Sequence, residues 1–390
     1  MDVIILYSHS LNDKEMKEIQ MVDLRSQYQR LKPEIDEAIN SVLLSGIFVK
    51  GPDIKKFEEE LARYLSVSHV ISCGNGTDAL QIAMMSLGLK PGDEIITPSF
   101  TFIATVEAAA LLGLKPVFAE VDEGTFNISP ESIRKAITPA TKAIIPVHLF
   151  GQCAQMDEII KIAEENGLYV IEDAAQAAGA EYIFRNGAKK MAGTIGKIGI
   201  TSFFPSKNLS CCGDGGALFT DDENLASIIR SIANHGMKVR YYYERIGVNS
   251  RLDTLQAAIL SVKLKYLNGF NESRRKVADA YDEALSKCRD IVIPARTKYS
   301  THIFHQYTIR VLNRKRDKLK EYLQSLKIPS MIYYPVPIHL QKAYQYLGYS
   351  KGDFPVTERL CDEVLSLPIC PELDREQTDY IISSVLKFFD

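Results

Sequence analysis

The sequence predicts an α/β protein: a mostly parallel sheet sandwiched between helices, followed by a smaller second domain. Three observations lead there. Seven apolar runs of strand length recur between residues 70 and 220. Most are continuous rather than alternating, as in strands covered on both faces. Helix-like stretches lie between many of them, which is the pattern of strand–helix–strand units.

In order, the runs are VISC (70–73), EIITPS (94–99), KPVFAEV (115–121), AIIPVHL (143–149), YVIED (169–173), IGITSFF (198–204) and GALFT (216–220). TDALQIAMMSLGL, SPESIRKAI and MDEIIKIAEENG read as the intervening helices. The link from Phe204 to Gly216 is too short for a crossover helix, so the last strand is expected to run antiparallel. From Arg251 the stretch RLDTLQAAILSVKLKYL sets Leu252, Leu255, Ile259, Val262 and Tyr266 on one helical face, and Gly269 interrupts it. Residues 19–269 are therefore assigned to a large domain and 270–390 to a small one. Residues 1–18 read as an extension ahead of the fold, because the periodic pattern starts near Ile19.

With 390 residues, 46% of them hydrophobic, the chain can bury a large core. Its net charge of -3 gives no global attraction to nucleic acid or an anionic membrane. NRKRDKLKEYL is most simply a solvated helix face. No apolar stretch reaches membrane-spanning length, and MDVIILYSHS has an Asp where a secretory signal needs positive charge. Seven cysteines without a Cys-x-x-Cys pair suit a reducing, cytoplasmic compartment.

Three motifs could carry chemistry. In CGNGTDAL (73–80) a strand ends, two glycines turn the chain and Thr77 opens a helix. Such a turn can cradle an anion on helix N-terminal amides, or can be an ordinary capped turn. It also reads as the dinucleotide fingerprint G-x-G-x-x-A. The acidic residues that this reading wants, Asp93 and Glu94, stand at the wrong end of the second strand. In YVIEDAAQAAGA (169–180) a buried strand emerges into Glu172 and Asp173, which alternation puts on opposite faces, with Gln176 following. Asp173 could equally cap a helix over AAQAAGA. In SFFPSKNLSCCGDGGALF (202–219) a lone Lys207 follows a buried strand, five residues after Ser202.

A lysine amine becomes a carbonyl-trapping nucleophile when desolvated or set beside another cation. Pyridoxal phosphate asks for a Schiff-base lysine, a carboxylate on its ring nitrogen and an anion cradle. Lys207, Asp173 and the turn at 74–77 supply that set, and Phe102 could stack on the ring. His148, His235, His305 and His339 are dispersed along the chain, and no metal site is expected.

GNGTDAL, PSFTFIAT, EDAAQA, TSFFPSKNL, CGDGGALFT, NSRLDTLQAAIL and YYPVPIHLQKAY together resemble the DegT/DnrJ/EryC1/StrS family of nucleotide-sugar aminotransferases, over residues 19–390. The resemblance implies fold type I, the aspartate aminotransferase architecture, with a mixed seven-stranded sheet and a smaller C-terminal domain. It implies that Lys207 bonds the pyridoxal phosphate aldehyde and shuttles the proton. Asp173 would pair with the pyridinium nitrogen and Gln176 with the ring hydroxyl. Gly76, Thr77 and Ser202 would hold the phosphate, Phe102 would stack, and Asn249 would reach the phosphate of the neighbouring subunit. A homodimer with its sites at the interface is implied in turn. Lys207 favours transamination over the dehydratases of this family, which carry histidine there.

GVNSRLDTLQAAIL is similar to the subgroup that aminates carbon 3 with L-glutamate. Within it the resemblance points to UDP-2-acetamido-2-deoxy-3-oxo-glucuronate as substrate, for surface polysaccharide or lipopolysaccharide synthesis. A dTDP-3-oxo-6-deoxyhexose is the alternative substrate; an NAD-binding oxidoreductase and a non-catalytic pyridoxal phosphate-binding regulator are the alternatives of other classes. Arg251 could grip a sugar carboxylate with two hydrogen bonds, or pair with Asp253 or Glu244. Tyr334 and His339 are expected near the sugar.

Overall fold

The structure is a computed structural model that describes residues 17–390. Of the expected 1–18 extension, residues 1–16 lie outside the described residues.

All seven apolar runs form strands of one sheet: β1 (His69–Cys73), β2 (Glu94–Pro98), β3 (Lys115–Ala119), β4 (Thr141–Ile144), β5 (Tyr169–Asp173), β6 (Ile198–Ser202) and β7 (Gly216–Thr220). Their spatial order is β1-β7-β6-β5-β4-β2-β3. The pairs β2–β3, β2–β4, β4–β5 and β5–β6 are parallel. As the short Phe204–Gly216 link requires, β7 runs antiparallel to both β1 and β6. The mixed sheet is that of fold type I.

Twelve helices accompany the strands among the described residues: α1 (Leu24–Ser45), α2 (Pro52–Leu65), α3 (Gly76–Ser86), α4 (Ala104–Leu111), α5 (Pro130–Ala136), α6 (Met156–Asn166), α7 (Glu223–Ile232), α8 (Thr254–Leu264), α9 (Leu267–Leu285), α10 (Arg316–Ser325), α11 (Pro355–Glu363) and α12 (Arg375–Phe389). Adjacent strand residues feed opposite layers. Ile95, Ala143 and Ile171 pack with α3, α4 and α7, whereas Ile96, Ile144 and Val170 pack with α5 and α6. Continuous apolar runs are therefore the expected sequence of these strands. Truncating one such residue, as in Ile171→Ala, is expected to cost about 2–5 kcal/mol.

The stretch after Arg251 differs from its one-faced expectation. Helix α8 is buried almost all round, because α1 and α2 both pack on it. Its break falls at Lys265–Tyr266, and Gly269 lies inside α9. A smaller antiparallel sheet follows, made of β8 (Ile291–Val292), β9 (Tyr307–Val311) and β10 (Val364–Leu367). Its core gathers Tyr281, Phe304, Tyr307 and residues of α10 and α12, and Ile19 is buried in the same cluster. No helix among the described residues is long and apolar enough to cross a membrane.

Candidate active site

The carboxyl ends of β1, β5 and β6 open into one cavity of about 790 Å³. His305, Gln306, Tyr333 and Tyr334 also line it.

β1 ends at Cys73, and the turn delivers α3 at Gly76. The cap is Asn75 rather than Thr77: its side-chain oxygen accepts from the Asp78 amide at 2.8 Å. The amides of Gly76 and Thr77 are left without intrahelical partners at the positive end of the helix, and both residues line the cavity. Gly76 has to be glycine, since a Cβ there would stand 2.9 Å from that of Ser202. Gly216 serves the same close approach on the neighbouring strand, where a Cβ would fall 2.5 Å from the Asn75 carbonyl.

β5 ends at Asp173, whose main chain is fixed by bonds to Pro146 and His148. One carboxylate oxygen accepts from Thr105 Oγ1 at 2.8 Å and the other from the Ala175 amide at 3.1 Å. No helix follows, so the helix-capping alternative for Asp173 is set aside. Burial raises its pKa above the ordinary carboxylate range, and those two hydrogen bonds only partly offset it. Glu172 points to the opposite face, as alternation requires. It accepts from the amides of Gly193 (3.0 Å), Ile195 (2.5 Å) and Gly196 (2.5 Å) and pairs with His148 Nε2 at 2.8 Å.

Lys207 sits in the turn after β6, half-buried, with its amide bonded to the Phe204 carbonyl. Burial pushes its ammonium down to about 8, against the opposing pull of Asp173. A substantial neutral fraction at physiological pH is what a carbonyl-trapping amine needs. Gln176 accepts from the Phe150 amide at 2.9 Å and donates to the Tyr334 hydroxyl at 3.1 Å. The Tyr334 ring lies 6.4 Å from that of Phe102, whose side chain is 54% exposed at the mouth.

Of the expected residues, the cavity gathers Gly76, Thr77, Phe102, Asp173, Gln176, Ser202, Lys207 and Tyr334. Three lie elsewhere in this chain. Asn249 pairs with Asn234 behind α3, where the adjacent Ser250 binds the Gly74 amide and Asp78. Arg251 opens onto a separate groove with Lys50, His69 and Arg230. It makes no ion pair with Asp253 or Glu244; Glu244 faces Lys238 and Arg245 instead. His339 is outside the cavity, and both its nitrogens are used by the scaffold, Nδ1 with Ser99 (2.7 Å) and Nε2 with Glu358 (3.1 Å). The sequence reading missed His305 and Gln306, which line the cavity from the loop before β9. The polar pair directly ahead of the apolar YTIRV run was the available signal.

The DegT/DnrJ/EryC1/StrS aminotransferase family model matches residues 29–386. The chain belongs to this family. It is 47% identical over 373 residues to a pleiotropic regulatory protein of Geobacillus stearothermophilus, covering 95% of this chain and 98% of that one. It is 44% identical over 367 residues to the UDP-2-acetamido-2-deoxy-3-oxo-D-glucuronate aminotransferase of Pseudomonas aeruginosa, covering 94% and 99%. Relatives named as transaminases of dTDP-linked 3-amino sugars match at 40% and 41% identity. Among solved structures, NtdA of Bacillus subtilis with bound cofactor PMP superposes with a TM-score of 0.89 at 32% identity, covering 97% of this chain and 86% of that one.

An aminotransferase of this family depends on pyridoxal phosphate, and the cavity fits it. An amide cradle kept open by Gly76, a buried carboxylate and a lysine whose pKa is lowered meet in one space. The dinucleotide reading of G-x-G-x-x-A is overturned with the family assignment.

Proposed function

We propose that this aminotransferase moves the amino group of L-glutamate to carbon 3 of a nucleotide-linked ketosugar, UDP-2-acetamido-2-deoxy-3-oxo-glucuronate. The products would be 2-oxoglutarate and the 3-amino sugar. The observation that carries the chemistry is the convergence of Lys207, Asp173 and the α3 N-terminus on one cavity. The observation that favours this sugar is 44% identity, over 94% of the chain, to an enzyme named for it.

In this reading the bound cofactor supplies an electron sink and carries the amino group between two substrates. The Gly76 and Thr77 amides and the Ser202 hydroxyl hold its phosphate. Asp173 keeps the ring nitrogen protonated, and its buried carboxylate gains a partner for its charge. Gln176 orients the ring hydroxyl, and Phe102 covers a ring face. Lys207 Nζ takes a proton from the substrate carbon and returns it one position away, which requires an amine that is neutral at the start. Tyr334 would border the sugar.

Asn249 and Arg251 belong to a neighbouring subunit's site in this proposal, in a cytoplasmic homodimer. The reading divides the chain into a large unit, 19–269, and a small one, 270–390. Arg251 lacks an intramolecular carboxylate partner among the described residues, which suits a sugar carboxylate.

The test is a mass spectrum of the protein with pyridoxal phosphate, L-glutamate and UDP-2-acetamido-3-oxo-glucuronate generated in place. A UDP-sugar at the mass of the 3-amino glucuronate is expected. Conversion of the cofactor to its amine form without that product would favour the second reading, a dTDP-3-oxo-6-deoxyhexose, which the 40% and 41% relatives support.

A further inference from the structure

His305 lines the cavity and is left unused by the proposed chemistry, as are Thr101, Ser206, Asp214 and Gln306. It is 6% exposed and lines the same space as Lys207. Nδ1 is buried and has no hydrogen-bond partner among the described residues. A buried nitrogen left unmet is destabilising, which points to a partner that arrives during function.

The scaffold holds the backbone of this loop in place. Arg274, itself 2% exposed, donates from Nη1 to the carbonyls of Phe304 (3.2 Å), His305 (3.4 Å) and Ile369 (2.7 Å). The Gln306 amide donates to the Phe150 carbonyl at 3.3 Å. The loop is also tied to the lysine's own turn: Asn208, next to Lys207, donates to the Ile303 carbonyl at 3.3 Å. A second bond from the same amide reaches Asn271 Oδ1 at 2.7 Å.

We propose that His305 is a positioning residue for Lys207: its Nδ1 accepts a hydrogen bond from the lysine ammonium and fixes Nζ while it carries the proton. Nδ1 needs a donor, and Lys207 is a flexible one lining the same cavity, near enough for its charge to act on His305. An ammonium has three donors and no acceptor, and neutral imidazole offers one acceptor nitrogen. Burial, then the charges of Lys207 and Arg274, hold the His305 pKa well below its ordinary range, which keeps that acceptor available. The charged and titratable groups facing the pair are Asp173 on β5, Asp78 on α3, Asp214 ahead of β7, Tyr333, Tyr334 and Arg274.

This rests on Lys207 being the reacting amine, and its test uses neither cofactor nor sugar. Cofactor-free protein would be labelled with acetic anhydride across a pH series, and the Lys207 peptide followed by mass spectrometry. The parent midpoint is expected at about 8. In His305→Leu, with the acceptor gone, it should fall by roughly half a unit to one unit. His305→Asn keeps an acceptor near the Nδ1 position and should follow the parent. A His305→Leu profile that superposes on the parent overturns the proposal, as does a His305→Asn profile displaced as far as that of His305→Leu. If His305→Leu does not fold, His305→Ser, too short to reach, takes its place in the comparison. Failure of the parent to take up pyridoxal phosphate would sink the function instead, and is read separately from absorbance.

Discussion

Glu172 and Asp173 are neighbours at the end of one strand, on opposite faces of the sheet. Glu172 meets three amides and an imidazole, and it lies on the face that packs against the scaffold. Asp173 has two hydrogen bonds, a raised pKa and an opening into the cavity. The same contrast extends outward. On the cavity side stand Lys207 with a lowered pKa and His305 with an unmet nitrogen. On the scaffold side His148 uses both ring nitrogens, accepting from the Ala154 amide as it pairs with Glu172. In the proposed function a bound group would complete the partners of the cavity side.

Breaking the cavity side should abolish activity without harming the fold. Lys207→Ala is expected to lose the visible absorbance of bound pyridoxal phosphate and turnover by about 10²–10⁴-fold or more. Its thermal transition should stay close to the parent's. Breaking the scaffold side should do the reverse. Glu172→Ala strands three amides and His148, so a stability loss of about 3 kcal/mol or more is expected in denaturant titration.

Asp173→Asn sharpens the contrast. It should lower kcat severely, because nothing then keeps the ring nitrogen charged. The cofactor-free protein should nevertheless become more stable at neutral pH. The sign follows from linkage: a carboxyl whose folded pKa is raised loses stability as pH climbs from the ordinary carboxylate range through the raised value. Asparagine removes that loss, and melting curves across pH would show it.

Lys207→Met tests the same logic from the cationic side. Below about 8 the folded protein holds a charged lysine at a cost that the unfolded chain does not bear. Cofactor-free Lys207→Met should therefore melt above the parent at pH 7. The gap should close as pH rises from about 8 towards the ordinary lysine value. The smallest effect is expected for Arg251→Ala, which should bind cofactor normally and raise KM for a carboxylated sugar while leaving KM for glutamate unchanged.

The sequence reading recovered all seven strands, because residues such as Ile95 and Ile96 face opposite apolar layers and leave a continuous run. The antiparallel β7 was legible from loop length alone. The full burial of α8 was not, since helical periodicity cannot register two helices packing from opposite sides. Lys207 and Asp173 could be singled out as candidates because Asp173 ends a buried strand and Lys207 follows one. His305 was only half legible: the polar pair His305–Gln306 ahead of the YTIRV run is visible, but it looks the same whether or not the histidine ring is satisfied. Asn75 displaced Thr77 as the cap because the helix starts two residues earlier than a Thr77 cap would set it.

The most direct measurement is to reduce the pyridoxal phosphate-loaded protein with borohydride, digest it and map the labelled lysine. The rival is Lys263, buried with a lowered pKa and bonded to Ser210 at 3.3 Å, on the other side of the same loop. The account predicts the phosphopyridoxyl group on Lys207. Label on Lys263, or on any lysine outside the cavity, would contradict it.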